Sequence, residues 1–149
     1  MNIYEERPEE PKNIKTPEEF KLPPENPYAQ ISDILATQLE FEDSVLYLND
    51  EITEHTLVDL MIRIRRLLHY RTTDKFKGNN TDPINLIINS PGGEIHEMMG
   101  IIDYLNSLSV NINTICRGKA FSAAAVILTL GSGTRMMSGN STIMFHQAS

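Results

Sequence analysis

The sequence predicts an α/β fold built from repeated strand–helix units, on the evidence of two successive pairs of segments. Residues 84–88 are apolar without alternation, as expected for a strand covered on both faces, and residues 95–105 then repeat apolar side chains at helical spacing. Residues 111–116 form a second strand-like run, and the small, apolar residues of segment 121–130 predict a buried helix. Strands that alternate with helices are typical of α/β proteins.

The first 27 residues predict a disordered, acidic and proline-rich leader. They contain six of the eight prolines and seven glutamates, so few apolar side chains are available to offset the entropy of ordering. Such a leader can be a solvated tail or an arm for docking or gating. We expect residues 28–149 to form one domain, because the sequence shows neither an internal repeat nor a second domain.

The segment between the leader and the first long strand predicts three further elements. Residues 28–39 predict a short amphipathic helix, and residues 44–48 a short strand. The next helix is the clearest, because Thr53 is a good N-cap and one apolar face follows it. That face consists of Leu57, Leu60, Met61, Ile64, Leu67 and Leu68. Residues 71–83 are polar and predict a loop.

Near the end of the chain, two short strand-like runs suggest a hairpin. Residues 134–138 and 141–145 flank the pair Gly139 and Asn140, which favours a tight turn.

Three of the predicted strands end in residue types that serve acyl transfer. The first ends in residues 90–93 (Ser-Pro-Gly-Gly), a turn whose free N–H groups before a helix can bind a developing oxyanion. The second turns at residues 117–118 and delivers Ser122 to a helix start, and the last ends at His146. Together they are the parts of a serine site: oxyanion hole, nucleophile and base. Each alone also has an ordinary explanation, namely a tight turn, a helix cap and a packed histidine.

Composition excludes several other classes of function. The net charge of −7 argues against a nucleic-acid-binding surface. No apolar run approaches the roughly 20 residues that span a membrane, and the N-terminus lacks the apolar region of a signal peptide. The single cysteine, Cys116, is expected to be a core residue and fits a reducing, cytoplasmic location. The histidines His55, His69 and His96 lie in predicted helices without metal-type spacing, so they do not indicate a metal site.

Three motifs resemble the Clp protease proteolytic subunit, ClpP, whose fold is of the ClpP/crotonase-like type. They are residues 88–93 (Ile-Asn-Ser-Pro-Gly-Gly), 114–122 (Thr-Ile-Cys-x-Gly-x-Ala-x-Ser) and 140–147 (Asn-Ser-x-x-Met-x-His-Gln). The spacing between Gly93 and Ser122 also matches that family. The resemblance covers about residues 34–147.

The resemblance implies a head domain of repeated β-β-α units and a serine-type endopeptidase of the Ser-His-Asp class. Ser122 would be the nucleophile, His146 the general base, and the N–H groups of Gly93 and Ala123 the oxyanion donors. Peptide bonds of unfolded proteins would be hydrolysed through an acyl-enzyme, without metal or cofactor. The family stacks subunits into two homo-oligomeric rings that enclose the sites, and an ATP-driven AAA+ unfoldase delivers protein substrates.

The sequence departs from the family pattern at its end. The family's triad aspartate lies well beyond the histidine, whereas three residues follow His146 here, so we expect the domain to be C-terminally incomplete. It would lack the aspartate, the strand beside the substrate groove and the long handle helix. Asp82 and Asp103 do not match the aspartate motif, and Ala148 replaces the family's proline.

Three alternatives to an active Clp-type peptidase remain open. The chain could be a catalytically silent, ClpP-like structural or regulatory subunit, for which the missing aspartate argues and against which the intact set of Ser122, His146 and Gly93 argues. It could be a phage capsid-maturation protease with the same site. A crotonase-like protein that binds acyl-thioesters predicts coenzyme A affinity, but Ser122 followed by His146 at protease spacing argues against it.

Overall fold

The structure is a computed structural model that describes residues 27–146, with side chains from residue 34 onward. The chain divides into two units, residues 1–34 and 35–149, and the fold below is that of the second. The leader predicted over residues 1–27 lies outside the described residues, apart from Pro27 at the start of the first helix.

Helices and strands alternate along the described part of the chain, which confirms the predicted α/β class. The helices are α1 (Pro27–Glu42), α2 (Glu54–Arg71), α3 (Ile95–Asn106) and α4 (Ala123–Thr129). The strands are β1 (Val45–Leu48), β2 (Ile84–Ser90), β3 (Ile112–Phe121), β4 (Arg135–Met137) and β5 (Thr142–Met144). None of the described helices is long and apolar enough to traverse a lipid bilayer.

The five strands form one parallel sheet. Its order is β1-β2-β3-β4, and β5 pairs with β3 next to β4. In a parallel sheet the carboxyl ends of the strands share one edge, where open α/β sheets bind their ligands. The ends of β2, β3 and β5 therefore lie on the same side of this domain.

The predicted hairpin over residues 134–145 is wrong. β4 and β5 do not pair with each other; each pairs with β3 in parallel, from Thr114↔Arg135 onward and then from Lys119↔Thr142 onward. The reason is the length of β3, whose ten residues offer one edge to two short strands in succession. Ser141 fixes the connection, because its Oγ accepts from the N–H of Gly118 at 3.1 Å.

The turn predicted at residues 117–118 is also wrong, because β3 continues to Phe121. Gly118 has a φ of +97°, and the register between β2 and β3 shifts between Ile88 and Ser90. The N–H of Lys119 donates to Asn89 Oδ1 at 3.3 Å instead of continuing the ladder. Glycine at positive φ serves a bulge as well as a turn, and here it makes a bulge.

The helices α2, α3 and α4 pack with the strands around one apolar core. Its fully buried side chains include Leu46, Leu48, Ile64, Leu67, Leu86, Ile88, Ile101, Ile112 and Ile127. Cys116 is also fully buried, as predicted. The N-cap of α2 is Thr53, whose Oγ1 accepts from the N–H of Thr56 at 3.4 Å, so that prediction is confirmed.

Helix α1 forms as predicted, but several of the apolar side chains on its predicted buried face are exposed. Leu35 is 54% exposed and Leu39 is 61% exposed. The helix contacts α2 through the buried ring of Phe41, whose centroid lies 5.9 Å from that of Tyr70, and through the ion pair of Glu40 with Arg63 at 2.6 Å.

The loop after α2 is organised by Arg71, which is only 3% exposed. Its guanidinium donates to Ser44 Oγ at 3.2 Å and to the carbonyls of Asp82 and Pro83 at 2.6 and 3.3 Å. The same group lies over the Phe76 ring at 5.4 Å from the centroid. The segment after α2, which its sequence predicts only as a polar loop, is therefore held by hydrogen bonds and a ring contact with the buried Arg71 guanidinium.

Candidate active site

The turn between β2 and α3 is held close to the start of α4. Ser90 is fully buried, and its Oγ accepts from the N–H of Gly92 at 3.1 Å. Gly92 has a φ of +93°, and a Cβ atom at this position would lie 2.5 Å from the carbonyl oxygen of Phe121 and 2.9 Å from Ser122 Cβ. A side chain at residue 92 would therefore push the turn away from Ser122.

The backbone at Gly93 is held by a bridge to Ile52 that does not use the Gly93 N–H group. Ile52 forms a parallel bridge with Gly93, in which the Ile52 N–H donates to Gly92 at 2.8 Å and the Glu94 N–H donates to Ile52 at 2.9 Å. These two bonds involve the carbonyl of Gly92 and the N–H of Glu94, which are the peptide groups of the neighbouring residues. Within the described part of the chain, no backbone acceptor is bonded to the Gly93 N–H. It is one donor available to an oxyanion.

Ser122 lies on a strained turn from β3 into α4. It has a φ of 53° and a ψ of −122°, a conformation that costs a non-glycine residue on the order of 1–3 kcal/mol. Its side chain makes no cap hydrogen bond to α4, so the helix-cap explanation does not hold. A strained strand-to-helix turn also presents the nucleophile of α/β hydrolases, in a different sequence context. The next N–H, that of Ala123, belongs to the first helical turn and has no intrahelical partner.

His146 reaches the same place through the pairing of β5 with β3. Phe121 is opposite Met144, and the Ser122 N–H donates to the Met144 carbonyl at 2.8 Å. His146 follows Met144 by two residues and is exposed. Paired strands lie about 4.8 Å apart, so the residues just beyond Phe121 and Met144 are neighbours.

One cleft of about 430 Å³ joins these strand ends. Its lining residues are Gly93, Glu94, Ile95, Met98, Ser122, Ala123, Val126, Phe145 and His146. All four residues that the resemblance implied for the site are among them. Of the described residues that line the cleft, none is an aspartate, and Asp82 and Asp103 lie elsewhere. The described residues include no group of three histidine, cysteine or acidic side chains placed to hold a metal ion.

Sequence reasoning missed three residues of this site. Ser90 is the acceptor that sets the glycine turn, and a serine two residues before a glycine could have suggested that bond. Ile52 supplies the bridge to Gly93, and nothing local indicates it, because the contact joins distant segments. Glu94 is the acidic residue among the described residues of the cleft, and no role was predicted for it.

The comparisons with known proteins agree with this geometry. Residues 29–149 match the family model described as Clp protease. The chain is similar to ATP-dependent Clp protease proteolytic subunit 1 of Corynebacterium glutamicum, with 32% identity over 124 residues that cover 82% of this chain and 51% of the relative. The protein of the same description from Cutibacterium acnes is 37% identical over 108 residues, which cover 72% and 46% of the two chains.

A solved structure shows the same similarity. The crystal structure of the ClpP protease catalytic domain from Plasmodium falciparum superposes with a TM-score of 0.66 and 34% sequence identity, covering 78% of this chain and 60% of that one. The predicted ClpP-like fold is thereby confirmed. The chain spans about half the length of the curated relatives it matches. On its sequence, its fold and the match over residues 29–149, the chain belongs to the Clp protease family.

Proposed function

We propose that the chain is a subunit of a Clp-type serine endopeptidase, with Ser122 as nucleophile and His146 as general base. The observation that supports this most is the single cleft that Ser122, His146, Gly93 and Ala123 line together. These residues come from the ends of three separate strands, and their types are those that acyl transfer requires.

The proposed chemistry is a two-step acyl transfer. The imidazole of His146 takes the hydroxyl proton as Ser122 Oγ attacks the peptide carbonyl carbon, and the N–H groups of Gly93 and Ala123 hold the resulting oxyanion. His146 then gives the proton to the leaving amine, which leaves an ester on Ser122. Water, deprotonated by His146, hydrolyses that ester and releases the new carboxyl end. One such oxyanion donor is worth about 3–4 kcal/mol of barrier.

The proposed substrates are unfolded polypeptides. The cleft presents backbone donors and apolar walls, including Met98 and Val126, which suit an extended peptide. By the family resemblance, we further propose that subunits assemble into a homo-oligomeric ring in the cytoplasm. A separate AAA+ unfoldase would hydrolyse the ATP and deliver the substrate.

A serine-directed fluorophosphonate probe tests the proposed nucleophile directly. We expect the probe to label the native chain on Ser122, with labelling lost in Ser122→Ala and strongly slowed in His146→Ala. Circular dichroism of each variant checks that the fold is retained. Labelling that persists in Ser122→Ala would contradict the assignment. A folded native chain that takes no label would instead favour the silent, regulatory subunit.

A further inference from the structure

Among its described lining residues, the cleft combines apolar side chains with Ser122, His146 and one carboxylate. Its most buried walls come from Met98 and Ala123, which are 8% and 4% exposed. Ile95 and Phe145 are more than half exposed and lie nearer to solvent. Of the described residues that line the cleft, Glu94 is the one with an acidic side chain, and none is a lysine or an arginine.

The backbone of Glu94 is held in place, whereas its carboxylate is not engaged. Its N–H donates to the Ile52 carbonyl at 2.9 Å, in the same bridge that positions Gly93. Glu94 occupies the N-cap position of α3, but its side chain makes no cap hydrogen bond. Across the residues that the structure describes, its carboxylate forms no salt bridge. The backbone that carries this exposed carboxylate is therefore fixed one residue beyond the proposed oxyanion donor.

We propose that Glu94 is a specificity-determining residue, through which the cleft prefers peptides that have lysine or arginine close to the scissile bond. An apolar side chain would occupy the pocket formed by Met98 and Val126, and the basic residue would meet Glu94 at its mouth. This inference rests on the proposed function and adds a substrate class to it.

The physical basis is charge pairing at a partly covered surface. A bound peptide displaces water from the cleft, which strengthens the attraction between its cation and the carboxylate. An exposed ion pair changes binding by up to about fivefold, and added salt screens it strongly. A peptide with lysine should therefore exceed its glutamine counterpart by about that factor at low salt, and the advantage should shrink in about 1 M salt.

The test uses quenched fluorescent peptides with a common leucine before the cleavage point. Lysine, glutamine or glutamate is placed in turn at each of the flanking positions, and kcat/KM is measured for each peptide. We expect lysine to be preferred over glutamine at one or more positions. The preference should vanish in Glu94→Gln, reverse towards glutamate in Glu94→Lys and survive in Glu94→Asp.

Glu97→Gln is the control for charge at this helix end, since Glu97 lies in the first turn of α3 and is half-buried but does not line the cleft. It removes the same charge from the same helix end. An equal loss of preference in Glu97→Gln and Glu94→Gln would attribute the effect to the overall negative charge and overturn the proposal. An unchanged preference in Glu94→Gln would also overturn it.

Measuring peptide binding separately from cleavage distinguishes a failure of this inference from a failure of the proposed function. Fluorescence anisotropy with Ser122→Ala measures the affinity for the same peptides without hydrolysis. Cleavage without any charge preference would reject the role of Glu94 and leave the peptidase assignment intact. A Glu94-dependent preference in binding, with no cleavage by the native chain, would support the role of Glu94 and contradict the peptidase assignment. If the native chain shows no cleavage and Ser122→Ala shows no charge preference in binding, both proposals are rejected.

Discussion

The backbone N–H of Ser122 donates a 2.8 Å hydrogen bond to the carbonyl oxygen of Met144. This bond extends the pairing of β5 with β3 by one residue beyond the strand end, at the point where the chain turns into α4. Backbone pairing therefore holds Ser122 beside Met144, two residues before His146. In the proposed mechanism, this pairing would help to hold the proposed base near the proposed nucleophile.

We expect His146→Ala to lower kcat/KM for peptide hydrolysis by roughly 10²–10⁴, the usual contribution of a positioned acid–base group. His96→Ala is the control, because His96 is also exposed and lies three residues after Gly93, but does not line the cleft. Steady-state kinetics with one fluorescent peptide measures both. Equal losses in the two variants would argue that His146 has no special part in the reaction.

We expect Gly92→Ala to destabilise the fold and to abolish labelling of Ser122. The new Cβ would sit 2.5 Å from the Phe121 carbonyl at a φ of +93°, so the turn must move, at a cost of about 1–3 kcal/mol. Urea denaturation gives the loss of stability, and the fluorophosphonate probe reports on the site.

Gly139→Ala is the comparison for this glycine, because a Cβ at residue 139 meets no atom within 4 Å. Its free energy of unfolding should stay within about 0.5 kcal/mol of the wild type. If both alanine variants behave alike, the close approach of Gly92 to Ser122 is not what matters.

We expect Arg71→Met to destabilise the domain by about 1–3 kcal/mol, because it leaves partly buried carbonyl oxygens without their donor. Arg71 donates hydrogen bonds to the carbonyl oxygens of Asp82 and Pro83. Arg66→Met, on the exposed side of the same helix, should change stability little. Urea denaturation compares the two, and limited proteolysis should cut within residues 72–83 faster in Arg71→Met alone. Equal stability of the two variants would refute the role of Arg71.

Cys116 should make stability fall at high pH. Burial raises the pKa of its thiol above the ordinary value of 9.0, and the hydrogen bond with Ser141 opposes that shift only in part. As the pH rises, the unfolded chain therefore loses the thiol proton before the folded one. The contribution of Cys116 is complete below the unfolded pKa and declines above it, by at most about 1.4 kcal/mol per pH unit.

The measurement is the difference in free energy of unfolding between the wild type and Cys116→Ala, from about pH 7.5 to about pH 10.5. We expect that difference to be constant at the lower end and to shrink above the ordinary thiol pKa. Burial also raises the pKa of Tyr104, but this residue is present in both proteins and cancels. A difference that stays constant over the whole range would contradict the prediction.

Much of the fold was predictable from local patterns. The Thr53 cap depends on a hydroxyl three residues before the N–H of Thr56, which the sequence shows directly. The buried face of α2 follows from apolar residues at helical spacing. Cys116 was predicted to be buried because its neighbours form a strand. These features depend on residues within a few positions of one another, so a sequence is enough to indicate them.

The errors came from non-local pairing. Residues 139–140 favour a tight turn, but whether the strands beside that turn pair with each other depends on a third strand. Because β3 is ten residues long, one of its edges accommodates both β4 and β5 in parallel, one after the other. Gly118 likewise suits a turn or a bulge, and its place within the ladder of β3 determined which one formed.

By itself the sequence determined the kinds of groups at the site: a glycine pair, a serine and a histidine, each after a strand. Only the tertiary structure decided that they line one cleft, that Ser90 and Ile52 hold the glycine turn, and that Glu94 faces the same space. The physical reason is that residue types follow from short-range chemistry, whereas convergence requires parallel strands to bring residues far apart in the chain to one edge of the sheet.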